Sequence, residues 1–163
     1  MLTGLGIRVY SKRLIISRDR LSCIVVELAS PMVTSGTLII EAIMRTPPVV
    51  AKAGTSVSEA IDRMVTCNVG SVIVIDNKGR PLGIITEKDV LDRVFKANRN
   101  PTSTPVREIM SSPILTVEHT LSLEEALTLM RREKVRRLAV TEKGRLVGQL
   151  TERRILTSLS VTS

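Results

Sequence analysis

Gly83-Ile84-Ile85-Thr86-Glu87-Lys88-Asp89 and Gly148-Gln149-Leu150-Thr151-Glu152-Arg153-Arg154 decide the reading of this chain, because one element is written twice. In each, a short β-prone run ends in a threonine whose hydroxyl can cap the helix that follows. The duplication extends outward from there. Ile43-Met44-Arg45-Thr46-Pro47 returns as Ile109-Met110-Ser111-Ser112-Pro113 at an offset of 66, and Ser56-Val57-Ser58-Glu59-Ala60-Ile61 returns as Ser122-Leu123-Glu124-Glu125-Ala126-Leu127 at the same offset. Further on the offset falls to 65, where Gly79-Arg80-Pro81-Leu82-Gly83 matches Gly144-Arg145-Leu146-Val147-Gly148, one residue having been lost in a turn. Self-similarity on this scale means one supersecondary unit used twice.

Each copy can be read locally. Ser56 and Ser122, with Glu59 and Glu125 three residues on, spell capping boxes that start a helix. Val57, Ala60, Ile61, Met64 and Val65, and Leu123, Ala126, Leu127 and Met130, recur at helical spacing and predict one buried face per helix, with the methionines as core. Val72–Ile75 and Leu82–Ile85, around Asp76-Asn77-Lys78-Gly79, predict an antiparallel hairpin, as do Leu138–Val140 and Leu146–Leu150 around Glu142-Lys143-Gly144. Thr86 and Thr151 cap further helices, the first running to about Ala97. The order is strand, helix, strand, strand, helix, twice. The expected layout is an N-terminal extension over 1–37, repeats over 38–97 and 107–159, a linker over 98–106 and a tail over 160–163. The extension has no echo later; its β-prone runs predict one or two added strands or an arm, and Met32 offers a second start.

Composition narrows the function. The 163 residues are 43% apolar and 25% charged, ordinary globular proportions. The longest apolar runs, such as Val72–Ile75, fall far short of the roughly 18 residues a membrane span needs. No secretory signal can be drawn, so a cytoplasmic address is expected. Cys23 and Cys67 lack metal-ligand or disulfide-framework spacing and are expected as buried thiols, and His119 stands alone, leaving neither a metal set nor a hydrolytic triad. No catalytic residue is assigned. With Tyr10 and Phe95 the only aromatics, a planar ligand must lie between aliphatic side chains. The net charge of +8 attracts anions, and Arg131, Arg132, Lys134, Arg136 and Arg137 crowd five cations into seven residues. Arg131 and Arg132, in mid-helix, and Lys88 and Arg93 read as solvated surface.

The paired Gly-x-x-Thr-x-x-Asp signature, complete at Gly83–Asp89 and partial at Gly148–Arg154, resembles a tandem pair of CBS (cystathionine-β-synthase) domains over roughly Leu38–Leu159. The resemblance implies an α/β fold in which each repeat packs a small β-sheet on two helices and the two intertwine into one module. It also implies a regulatory rather than enzymatic role, binding AMP, ADP, ATP or S-adenosylmethionine between the repeats, with no cofactor. Asp89, an acceptor-only carboxylate, suits a ribose diol, and Thr86 faces the same cleft; the same pair would equally cap a helix. By analogy, Ile114, Leu115, Val135, Arg136 and Arg137 complete this cleft, the two arginines on phosphates. A second cleft would join Thr151 to Thr46, Val69 and Gly70. There Arg154 replaces the acid, and no cation matches the Arg136-Arg137 pair, so this cleft is expected to be empty, plugged by Arg154 or used differently. A homodimer and an unidentified protein partner are expected. Nucleic-acid binding through the basic surface is the competing reading, without a motif to support it.

Overall fold

Ser56 and Ser122 start the first helix of each repeat, their hydroxyls accepting the amides of Glu59 and Glu125. Around them, a computed structural model describes residues 38–160. Its first half runs β1 (Val50–Lys52), α1 (Val57–Thr66), β2 (Ser71–Ile75), β3 (Pro81–Thr86) and α2 (Glu87–Val90); its second runs β4 (Thr116–Glu118), α3 (Leu123–Arg132), β5 (Arg137–Glu142), β6 (Arg145–Thr151) and α4 (Glu152–Ser160). The strands form two three-stranded sheets, ordered β1-β2-β3 and β4-β5-β6. In each sheet the pair joined through a helix is parallel and the hairpin pair antiparallel, as connection length requires. The twice-repeated order expected from the sequence is present. The strands and arm expected before residue 38 lie outside the described residues.

The repeats exchange their entry segments. Ile84 and Ser111 trade backbone hydrogen bonds of 2.9 Å each way, so the chain entering the second repeat docks on the edge of β3. Arg45 and Gln149 do the same at 2.8 and 3.0 Å, docking the first entry segment on β6. The cores follow that exchange. Val106 and Ile109 are buried with Val57, Ala60, Met64, Val72 and Val74, whereas Ile40, Ile43 and Met44 are buried with Leu123, Met130, Leu138 and Leu150. Ile73, Ile114 and Ala139 form a third cluster where the sheets meet. Arg93, expected as plain surface, reinforces the exchange: its Nη1 donates to the carbonyls of Ile109 and Met110 at 2.7 and 3.0 Å.

Several local readings are corrected. At Ser122 the capping box is complete, but Glu59 does not reach back to Ser56; its carboxylate pairs with Arg63, which also donates to the Val50 carbonyl. After Val90 the helix widens into a π-turn over Leu91–Phe95, closed by Lys96 N–H to the Leu91 carbonyl, and stops before Ala97. Val65, expected on the buried face, is 75% exposed. Cys67 is buried as expected, but disulfide-bonded rather than a free thiol. No described helix is long and apolar enough to cross a membrane.

Ser122→Ala should lower stability by about 1 kcal/mol at neutral pH, the usual worth of a helix cap. The Ser122 hydroxyl and amide donate to the Glu125 carboxylate and hold its pKa below the ordinary value. A carboxyl lowered in the folded state stabilises above its unfolded pKa, and that contribution fades as pH falls through the folded value. The gap between mutant and wild type should therefore narrow in acid, as thermal midpoints at pH 7 and pH 3 would show.

Candidate functional site

The exchange of entry segments leaves a cleft of about 1110 Å³ between the repeats. One wall is apolar and comes from α1, the connection after it and the α2 turn: Ile61, Met64, Val65, Val69, Val90, Leu91 and the aromatic Phe95. The other is cationic: Arg137 at the start of β5, Arg153 and Arg154 at the start of α4, and Arg45 from the entry segment. Asn68, Gly70, Ser71, Glu87, Gln149 and Thr151 complete the lining. The exposure of Val65, Leu91 and Phe95 thus belongs to a cleft wall rather than to failed core packing.

Backbone register aims the cationic side. Arg137 pairs with Thr151 across β5 and β6, and its Nη2 donates to the Gly70 carbonyl at 3.5 Å. A Cβ at Gly70 would sit 2.9 Å from Glu87 Oε2 and 3.4 Å from Arg137 Nη2, so both side-chain ends crowd this position. Burial lowers the Arg137 pKa, opposed by the charges of Glu87 and Asp89. Arg45 is held to the Cys67 carbonyl through Nη2 at 3.3 Å, while its buried Nε has no partner. Burial and then the charge of Arg154 lower the Arg45 pKa. The Arg154 amide donates to Thr151 Oγ1 at 3.3 Å, and its Nε donates to the Ile43 carbonyl at 2.7 Å. Gln149 is locked into the floor, its Nε2 donating to Ser71 Oγ at 2.9 Å.

Of the first predicted set, Arg137 lines this cleft. Thr86 and Asp89 form a capping box: Asp89 Oδ2 accepts the Thr86 amide and hydroxyl at 2.9 and 2.7 Å, and Oδ1 accepts the Ser111 hydroxyl at 3.2 Å and lies 3.5 Å from Arg93. Ile114 is buried at the seam between the sheets, and Leu115 and Val135 pack against the second core. Arg136 diverges from Arg137: its side chain is 84% exposed and lies 3.8 Å from Glu152. Of the second set, Val69, Gly70, Thr151 and Arg154 come together in the cleft, while Thr46 Oγ1 donates to the Val147 carbonyl at 3.0 Å. That cleft is not without cations, since Arg45 and Arg137 reach it from segments remote in sequence. Sequence reading missed Arg45, Arg153, Glu87 and Gln149 as cleft residues. Arg45 carried one usable signal, being the charged member of a motif whose second copy has Ser111.

The model of the CBS domain matches residues 40–96 and 106–161, and the chain belongs to that family as a tandem pair. A curated protein of Methanopyrus kandleri is 39% identical over 89 residues, 54% of this chain and 45% of that one. The chain spans under half the length of the first curated relatives it matches. Among solved structures, a conserved protein from Pyrococcus horikoshii superposes with a TM-score of 0.68 at 28% identity, covering 77% of this chain and 95% of that one. A CBS domain protein from Pyrobaculum aerophilum complexed with AMP superposes with a TM-score of 0.66 at 27% identity, covering 76% and 99%.

Proposed function

We propose that this CBS pair is a regulatory module that binds an adenosine nucleotide of the AMP, ADP or ATP class between its repeats, and that occupancy biases its association with a partner protein. The observation that carries this reading is the two-sided cleft, apolar on one wall and cationic on the other. A ligand with a planar apolar body and an anionic tail satisfies both walls at once. Arg137 is assigned to phosphate. Asp89 does not line that cleft and is engaged by Thr86, Ser111 and Arg93, but its charge reaches Arg137, and the ribose is assigned to it with acceptor capacity remaining on Oδ1. The AMP-bound relative supports the ligand class.

Titration calorimetry with adenosine, AMP, ADP and ATP tests the reading. AMP should bind at least about tenfold more tightly than adenosine, one charge-assisted contact's worth, and Arg137→Ala should erase most of that preference while sparing adenosine. Equal affinities for adenosine and AMP would remove the phosphate role from Arg137. A short duplex run alongside tests the nucleic-acid reading: there Arg137→Ala should reduce the salt slope by about one unit and leave mononucleotides unaffected.

We also propose a homodimer through the apolar helical faces, where Leu156 and Leu159 of α4 are exposed outside the cleft. Light scattering should give twice the 17.9 kDa chain mass; a monomer mass at micromolar concentration would overturn this.

A further inference from the structure

We infer that the Arg45–Arg154 end of the cleft is a site for a diphosphate group, recognised by its charge with no requirement for a nucleoside. The two repeats make the argument by contrast. In one corner Ser111 Oγ donates to the Asp89 carboxylate at 3.2 Å, a hydroxyl meeting an acid. In the matching corner of the other repeat the chain carries Arg45 in place of the serine and Arg154 in place of the acid. A closed hydrogen-bonded pair has become two like charges facing each other, and burial together with Arg154 makes the charged form of Arg45 harder to hold.

Among the described residues, none of Arg45, Arg137, Arg153 and Arg154 forms an ion pair; Glu87 is the one carboxylate in the lining. Arg45 and Arg154 are instead each held by one bond to a backbone carbonyl, of Cys67 and Ile43. Each guanidinium has five N–H donors, so most remain to be used, including the buried, unpartnered Arg45 Nε. Fixing cations this way, pointed into one cleft with spare donors, prepares a site for an oxoanion. Charge selects which one. Four guanidiniums against one carboxylate leave three positive charges, and a diphosphate at about 1.5 negative charges per phosphate supplies the match. The same chemistry is offered by free diphosphate and by the end of a nucleoside diphosphate. This inference goes beyond the nucleotide reading and stands without an adenosine ligand.

The test is titration of the full chain with inorganic pyrophosphate, ADP and AMP in phosphate-free, magnesium-free buffer at fixed ionic strength. Pyrophosphate should bind once per chain, and Arg45→Gln and Arg154→Gln should each weaken it at least tenfold, with Arg131→Gln, on the exposed face of α3, leaving it unchanged. Circular dichroism checks folding, and if Arg45→Gln unfolds, Arg154→Gln on the exposed start of α4 carries the same test. No pyrophosphate binding, or an equal loss in Arg131→Gln from diffuse charge alone, overturns the inference. AMP binding without pyrophosphate binding overturns it and leaves the nucleotide reading intact; pyrophosphate binding without any AMP or adenosine binding does the reverse. ADP bound as tightly as pyrophosphate, with the same arginine dependence, identifies the nucleoside diphosphate as a carrier of the group.

Discussion

Gly83→Val should cost about 3 kcal/mol of folding stability, at the upper end of what overpacking does to a filled interior. A Cβ at Gly83 would lie 2.7 Å from the Ser111 carbonyl oxygen and 2.8 Å from Met110 Sδ. The methionine can swing aside, but the carbonyl cannot, because Ser111 and Ile84 hold each other through two backbone bonds. Adding a side chain therefore pushes the exchanged segment off β3 and breaks both. The repeat supplies an internal comparison: at Gly148 the nearest backbone oxygen, of Arg45, is 3.0 Å away and the closest atom is the Met44 sulfur at 2.5 Å. Gly148→Val should thus be damaging but milder. Urea denaturation followed by circular dichroism checks both, and a midpoint for Gly83→Val within error of wild type would show that the entry segment is not anchored as described.

Ile109→Ala should cost about 3 kcal/mol, within the range for deleting a fully buried aliphatic side chain. Ile109 has no exposed surface and sits in the core formed mainly by the first repeat, although it opens the second in sequence. Its counterpart Ile43 plugs the opposite core and is 8% exposed, so Ile43→Ala should cost somewhat less. Both variants should still unfold in one transition, since each residue closes a core it does not belong to in chain order. Denaturant midpoints with unchanged slopes would bear this out. A second, separate transition in either variant would mean the repeats are energetically independent.

Much of the secondary structure was legible because its causes are local. A serine or threonine at a helix start, a β-branched run and a glycine-bearing turn act within a few residues, and the strands and caps at Ser56, Thr86 and Ser122 follow from them. Failures came where a further partner competes, one helical turn away or remote in sequence. Glu59 has the same spacing to Ser56 that Glu125 has to Ser122, yet Arg63, also engaged with the Val50 carbonyl, takes its carboxylate. The helical stripe places Val65 on the core side, but the stripe says nothing about where the neighbouring repeat stops and a cleft begins. Arg93 reads as surface until Ile109 and Met110 arrive beneath it. The cleft divides in the same way. Thr151, Arg154, Gly70 and Arg137 were found because the duplication and the family resemblance marked them, whereas Arg45, although the charged member of a duplicated motif, and Arg153 line the cleft through a three-dimensional meeting of segments.

Exchange of the entry segments also imposes an order on synthesis. Thr46 bonds to a carbonyl 101 residues further along the chain, so the first entry segment leaves the ribosome long before its binding edge exists. Ile40, Ile43 and Met44 stay without their core until β6 has been made. The first repeat, in turn, is missing its plug until Val106 and Ile109 emerge. The first core can close once Ile109 has emerged, whereas the second, holding Ile40, Ile43 and Met44, cannot close before β6 exists. The final docking step waits for the last strand, and until then three apolar side chains near the beginning of the described chain are what a chaperone would find to hold.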